Sequence, residues 1–146
     1  AEMGLGVVSQ PHFIAERGAQ YWRDVEPRDR PDLYRLGAFL RAGVPLAAGS
    51  DAPFGGDDPW ASMRAAVSRE TGDGLVIGGD EALSPEQALA LWLADPMDLR
   101  RERIISVGMP ADMCLLDRGW SLARERLDSG DVRATLIAGE IVHQTP

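Results

Sequence analysis

The sequence predicts an α/β fold in which short buried strands alternate with helices. Small apolar residues run over positions 44–48 and end in Gly49-Ser50-Asp51, a pattern typical of a buried strand that leads into a loop. A similar apolar run, at 5–9, lies one helix upstream, and a strand-helix-strand order of this kind forms a right-handed parallel crossover. A further helix pattern follows residue 58. The excerpt suits a parallel α/β barrel or an open sheet.

The first strand should end at Pro11, because proline cannot donate a hydrogen bond to a central ladder. Residues 15–30 are polar and aromatic without a clear period, so we predict a long loop with at most one helical turn. Loops of this length are often functional. The Tyr-Trp-Arg run at 21–23 is therefore a candidate for shaping a pocket.

Three helices are predicted after this loop. The first begins near Pro31, carries Leu33, Leu36 and Leu40 on one face, and stops at Gly43. The second begins at Pro59 and ends near Gly72. The third follows the capping box Ser84-Pro-Glu-Gln87 and is stopped by Asp95-Pro96.

The C-terminal third predicts a small antiparallel β unit. Strands are expected at 113–116, 132–137 and 140–143, the last two joined by the hairpin signal Ala138-Gly139. The single cysteine, Cys114, is expected to be a small buried hydrophobe in the first of these strands. Three short strands make a thin sheet that we do not expect to cover itself. We divide the chain into 1–104 and 105–146.

Composition excludes several classes of function. The net charge of −8 argues against a nucleic-acid partner and against an anionic membrane surface. All cationic side chains are arginine, so neither a lysine Schiff base nor a carbamylated lysine can form in this segment. No apolar stretch approaches the ~20 residues that span a bilayer, and residues 1–4 lack the start of a signal peptide. We expect a cytoplasmic protein.

Asp51 is the principal candidate for chemistry. A carboxylate at the C-terminal end of a buried parallel strand lies where α/β barrels keep their active sites. The alternative is that Asp51 serves as a turn or cap residue after Gly49-Ser50.

Five segments, taken in order, resemble the C-terminal part of the metal-dependent amidohydrolase superfamily, in the amidohydrolase 3 branch that includes N-substituted formamide deformylase-like proteins. These segments are Gly6-Val-Val-Ser-Gln-Pro-His12, Ala48-Gly-Ser-Asp-Ala-Pro53, Ser84-Pro-Glu-Gln-Ala-Leu89, Ile105-Ser-Val-Gly-Met-Pro-Ala-Asp112 and Ala138-Gly-Glu-Ile-Val142. The resemblance implies the last two β-α units of a (β/α)8 TIM barrel, with residues 7–10 and 45–49 as its seventh and eighth strands. It also implies part of a small β-sandwich over 105–146.

By the same resemblance, Asp51 would bind a divalent metal, zinc before others, and take a proton from the metal-bound water that attacks the substrate carbonyl. Gln10 and His12 would bind the substrate. For His12 the alternative is a surface or loop histidine. His143, the other histidine, is expected to be structural.

The family's paired His-x-His and its other metal-binding residues have no counterpart in this sequence. A catalytic zinc usually takes three protein ligands, and this chain offers one. We therefore expect a fragment of a hydrolase that acts on non-peptide C–N bonds of a small amide, itself inactive and without retained metal. The alternative is a non-catalytic assembly module that pairs with itself or with a missing N-terminal part of the barrel. The substrate, the number of metals and the origin of the truncation stay open.

Overall fold

Two short parallel strands lie at the centre of the α/β part. In the computed structural model, which describes residues 4–145, β1 (Val7–Ser9) pairs in parallel with β2 (Leu46–Ala48), with Val8 opposite Ala47. The Gly49 N–H donates to the Ser9 carbonyl at 2.9 Å, which continues the ladder past both strand ends. The predicted parallel pair is therefore confirmed. The prediction of burial fails at Val8, which is 55% exposed because no described residue covers that face of β1.

Residues 13–24, most of which were predicted to lie in a loop, form the helix α1 (Phe13–Asp24). Its buried residues are Phe13, Ile14 and Gly18, so one turn of the inner face carries no large side chain. Gly18 lies against Thr71: a Cβ at this position would be 2.1 Å from Thr71 Cγ2. The loop prediction was wrong because α1 has an inner and an outer face, but Gly18 interrupts the apolar residues of the inner face and hides the helical period.

The helix predicted from Pro31 begins later. A short 3₁₀ helix, Arg30–Asp32, comes first, and α2 follows at Leu36–Arg41. Between them Tyr34 adopts a left-handed conformation with φ 51°, which no continuous α-helix allows.

The helices α3 (Pro59–Ser68) and α4 (Pro85–Leu93) begin where the sequence predicts. Asp58 caps α3 by accepting from the Trp60 N–H at 2.8 Å, and Ser84 forms the complete capping box with Gln87. α3 ends earlier than expected, because Arg69 turns into the left-handed region. A 3₁₀ helix, Gly79–Glu81, lies between the two helices. The buried core cluster contains Leu36, Leu46, Trp60, Met63, Ala66, Leu83, Ala88, Leu91 and Leu127.

Arg69 is a wholly buried cation within this part. Its guanidinium and Nε donate to three backbone carbonyls, those of Ile77, Tyr34 and Leu33, at 2.7–2.9 Å. Burial lowers the pKa of Arg69, and the nearby Glu81 carboxylate opposes this change. Arg69 therefore fixes the segment before α2 to the end of α3.

The C-terminal unit contains the three predicted strands: β5 (Met113–Leu116), β6 (Val132–Ile137) and β7 (Glu140–Gln144). They form an antiparallel sheet in the order β5-β6-β7. The helix α5 (Trp120–Arg126) in this unit was not predicted, and neither was the hairpin of β3 (Ala94–Asp95) with β4 (Asp98–Glu102), which lies before residue 105. A 3₁₀ helix, Ser129–Asp131, precedes β6.

Cys114 is exposed, not buried as predicted. It lies opposite Thr135 on the three-stranded sheet, and no described layer covers that position. The division at residue 104 stays a prediction, although Leu127 and partly buried Leu116 and Val132 pack with the main core. Within residues 4–145, no helix is long and apolar enough to cross a membrane. The features noted for residues 1–3 lie outside the described part.

Candidate functional site

The C-terminal ends of β1 and β2 lie at the same edge of the parallel pair. His12 comes three residues after the last residue of β1, and Asp51 comes three residues after the last residue of β2. The C-terminal ends of parallel strands lie at the same edge of a sheet, and α/β proteins bind ligands at that edge. His12 and Asp51 both belong to the loops that begin there.

Asp51 has a left-handed backbone, with φ 52°. Its carbonyl accepts from the N–H groups of Phe54 and Gly55, at 2.9 and 3.1 Å, which closes a tight turn. Its side chain is exposed and accepts no hydrogen bond from the residues described here. The turn role proposed as the alternative is therefore present in the backbone, while the carboxylate stays available to a ligand.

His12 is buried, with 3% of its surface exposed, so it is not a surface histidine. It occupies the N-cap position of α1, and its carbonyl accepts from the Glu16 N–H at 2.9 Å. Neither ring nitrogen has a hydrogen-bond partner within the described part of the chain. Leaving a buried polar group unpaired costs about 1–3 kcal/mol, and such a group marks a functional candidate.

Gly55 brings the turn of Asp51 onto His12. A Cβ on Gly55 would lie 2.4 Å from His12 Nε2, 2.6 Å from Phe13 Cε1 and 2.6 Å from the Ser50 carbonyl oxygen. Only glycine leaves room for this approach. We call residues 51–56 the Asp51 loop; it covers the imidazole of His12.

Gln10, the third predicted site residue, is half-buried at the end of β1. Its carbonyl accepts from the Phe13 N–H at 3.2 Å. Its side chain makes no hydrogen bond to another described residue, and its substrate-binding role stays a prediction.

Aromatic rings and one arginine form the rim of this edge. The Phe13 ring lies 4.6 Å from the His12 ring and 5.9 Å from that of Phe54, measured between centroids. The Arg17 guanidinium stacks on both phenyl rings, 3.7 Å from the centroid of Phe54 and 4.5 Å from that of Phe13. Sequence reasoning missed Phe13, Arg17 and Phe54; the first two, with Tyr21, follow i, i+4, i+8 spacing, which was the available signal for α1.

Of the residues predicted to shape a pocket, Tyr21 alone turns toward this region. Its hydroxyl lies 2.8 Å from that of Tyr34, and the Tyr34 ring meets Phe13 at 6.3 Å between centroids. Burial, followed by the hydrogen bond to Tyr21, raises the pKa of the Tyr34 phenol. Trp22 and Arg23 are exposed on the outer face of α1.

The described residues do not form a metal centre by themselves. No group of three or more His, Cys, Asp or Glu side chains within residues 4–145 is arranged to hold an ion. Among the described residues, the candidate ligands that directly follow the two strands are the Asp51 carboxylate and the buried imidazole of His12, whereas a catalytic zinc takes about three protein ligands. His143 lies exposed on β7 of the C-terminal sheet.

Comparison with known proteins assigns the chain to a family. The model of the Amidohydrolase family, Amidohydro_3, matches residues 1–143. The chain is 31% identical over 124 residues to an N-substituted formamide deformylase of Arthrobacter pascens, a match that covers 81% of this chain and 23% of that protein. A crystal structure of an uncharacterized protein is similar in fold, with a TM-score of 0.60 and 20% identity over 99% of this chain and 36% of its own. The chain thus spans about a quarter to a third of these relatives, and it belongs to the Amidohydrolase family.

Proposed function

We propose that this chain contributes one part of the active site of a hydrolase that acts on non-peptide C–N bonds of small amides. The observation that carries the proposal is the position of Asp51 and His12 at the same end of a parallel strand pair. Membership of the Amidohydrolase family supports it, as does the relative whose name describes deformylation of N-substituted formamides.

In this proposal Asp51 accepts a proton from the water that attacks the substrate carbonyl. An exposed carboxylate with free lone pairs suits this role, because a general base has to reach the water it deprotonates. His12 donates a hydrogen bond to the substrate once the Asp51 loop has moved, because both ring nitrogens are buried beneath that loop and have no partner among the described residues. Gln10 completes the substrate contacts from the end of β1.

The architecture proposed for the whole protein is a (β/α)8 barrel, with β1 and β2 as its last two strands. The family is generally metal-dependent, and we propose a divalent metal, zinc before others, with Asp51 as one ligand and the remaining ligands outside residues 4–145. Because the described residues do not suffice for a metal site, we expect the 146-residue chain alone to bind zinc weakly or not at all and to be inactive.

The test is Asp51→Asn in the full-length protein, assayed on a series of N-substituted formamides and small cyclic amides. General-base contributions are about 10²–10⁴-fold, so we expect kcat/KM to fall by about a thousandfold. The matched control is Asp57→Asn, an exposed aspartate that follows the Asp51 loop; we expect it to leave kcat/KM unchanged. Wild-type rates in Asp51→Asn would contradict the assignment.

The second candidate is an assembly module, and exposed apolar side chains favour it. Val8 is 55% exposed within a parallel strand, and Ile137 and Ile141 on the C-terminal sheet are 56% and 59% exposed. Soluble monomers avoid uncovered strand edges and apolar faces. We propose that the chain pairs with itself or with a missing N-terminal part. A monodisperse monomer of the 146-residue chain in light scattering would count against this candidate.

A further inference from the structure

The Asp51 loop is attached to the molecule through α1. Apart from contacts within residues 50–56 themselves, the hydrogen bonds that described residues make to this loop come from two side chains of α1. Arg17 Nη2 donates to the Phe54 carbonyl at 3.0 Å, and Glu16 Oε1 accepts from the Gly56 N–H at 3.0 Å.

Arg17 holds the loop in a second way. Its guanidinium contacts the ring of Phe54 in the loop and the ring of Phe13 in the helix, at 3.7 and 4.5 Å from their centroids. Phe54 is 64% exposed, so apolar burial does little to hold it there. Within residues 4–145, Arg17 forms no ion pair. Its positive charge interacts instead with the two phenyl rings, as cation–π contacts.

The attachment of the loop matters because the loop covers His12 and carries Asp51. The imidazole of His12 lies beneath Gly55, with both ring nitrogens unpartnered. The loop also carries Asp51, whose backbone turn ends at Gly55. A displacement of the loop would expose His12 and move the Asp51 carboxylate at the same time.

We propose that Arg17, assisted by Glu16, is a positioning residue that holds the Asp51 loop over His12 and thereby sets the place of the Asp51 carboxylate. Arg17 itself acts through the loop. The inference rests on the proposed function for its catalytic consequence, while the attachment of the loop can be tested without any activity.

The first test measures the rate at which diethyl pyrocarbonate modifies His12 in the full-length protein, resolved by peptide mass spectrometry. N-acetylhistidine, modified under the same conditions, serves as the reference for a fully accessible imidazole. In the wild type we expect His12 to react at least about tenfold more slowly than this reference, because the loop covers it. In Arg17→Ala we expect the His12 rate to rise about tenfold, since one hydrogen bond and two cation–π contacts are lost.

The controls separate this effect from a general loss of structure. Arg23→Ala removes an exposed arginine from the same helix and should leave the rate of His12 modification unchanged. Phe54→Leu removes the ring that Arg17 contacts, at a mostly exposed position where the risk to the fold is small. It tests the same contact as Arg17→Ala and should likewise raise the rate of His12 modification. Glu16→Gln keeps an acceptor for the Gly56 N–H and should retain slow modification, whereas Glu16→Ala should not.

The second test measures hydrolysis by the same variants. We expect kcat to fall about tenfold or more in Arg17→Ala, because a misplaced catalytic group loses rate steeply, with partial recovery in Arg17→Lys. An unchanged His12 rate in both Arg17→Ala and Phe54→Leu would overturn the inference, and so would an opened loop with unaltered kcat. Full hydrolysis by Asp51→Asn would instead refute the proposed function and leave the attachment of the loop standing.

Discussion

Leu36 on α2 is wholly buried, whereas Ile141 on β7 keeps 59% of its surface exposed. The two side chains have similar size and hydrophobicity, and the two regions around them differ in coverage. Helices α2 and α4 pack on β2, α3 packs on α4, and together they form the buried core that contains Leu46. The C-terminal sheet buries Ala134 but leaves Leu115, Ile137 and Ile141 more than half exposed.

This contrast shows that the two regions differ in how fully their apolar side chains are covered. The helix-covered region satisfies the burial that its apolar residues require. The sheet has formed its backbone ladder, yet it still presents apolar side chains that a second layer would cover, as two-layer architectures demand. We therefore expect the stability of the described chain to reside mainly around β2, and further association to take place at the sheet.

The strongest way to test this contrast is to truncate one residue in each region. Leu36→Ala should lower the free energy of unfolding by about 2–5 kcal/mol, because it leaves a cavity among well-packed neighbours. Ile141→Ala should lower it by no more than about 1 kcal/mol, mainly through strand propensity. Urea unfolding followed by circular dichroism measures both. Equal losses in the two variants would show that the sheet is covered in solution.

A smaller loss of stability is expected when the N-cap of α4 is removed, which tests how much local sequence contributes to the helix-covered region. Ser84→Ala removes the side chain that accepts from the Gln87 N–H at 3.2 Å. Losing an N-cap costs about 1 kcal/mol, and thermal unfolding should register it. Ser121→Ala, at an exposed serine in the first turn of α5, is the matched control and should cause no loss. A similar loss in both variants would mean that the cap does not anchor α4.

The smallest expected effect is the pH dependence of stability that comes from Asp128, in the turn that leads into the C-terminal sheet. The Gly130 N–H, which donates to Asp128 Oδ1 at 2.8 Å, and then the Arg126 charge lower the pKa of the Asp128 carboxyl. Because the folded pKa is depressed, the stabilisation is complete above the unfolded value of about 3.9 and is lost as pH falls through the folded pKa.

Asp128→Asn should therefore be slightly less stable than the wild type at pH 7, and the difference should vanish in stronger acid. Unfolding midpoints in urea at several pH values below 7 would measure it. A difference that persisted unchanged at the lowest pH would assign the effect to the amide itself rather than to the charge.

Features that depend on neighbouring residues were predictable from the sequence. The two parallel strands, the capping box at Ser84 and the antiparallel C-terminal strands follow from local patterns of apolar, small and capping residues. The helix α1 was missed although Phe13, Arg17 and Tyr21 follow helical spacing, because Gly18 and Arg17 interrupt the apolar residues of its inner face. The burial of Cys114 was overestimated because a strand pattern does not tell whether a second layer is present.

The candidate site shows the same limit. Asp51 was chosen as the candidate because it follows a predicted strand, and the edge at which that strand ends could be located from the sequence. The cover of Gly55 over His12, and the stacking of Arg17 on Phe54, join residues 37 or more positions apart and depend on the packing of α1. Such contacts require the fold.

The buried Arg69 has a practical consequence for proteolysis. Since the chain contains no lysine, trypsin cuts it after arginine alone. The bond after Arg69 is accessible to the protease only when the end of α3 opens, whereas Arg100 and Arg101 are exposed in the folded chain. The ratio of fragments in a brief digest therefore reports the fraction of molecules in which the helix-covered region has opened, without an introduced label.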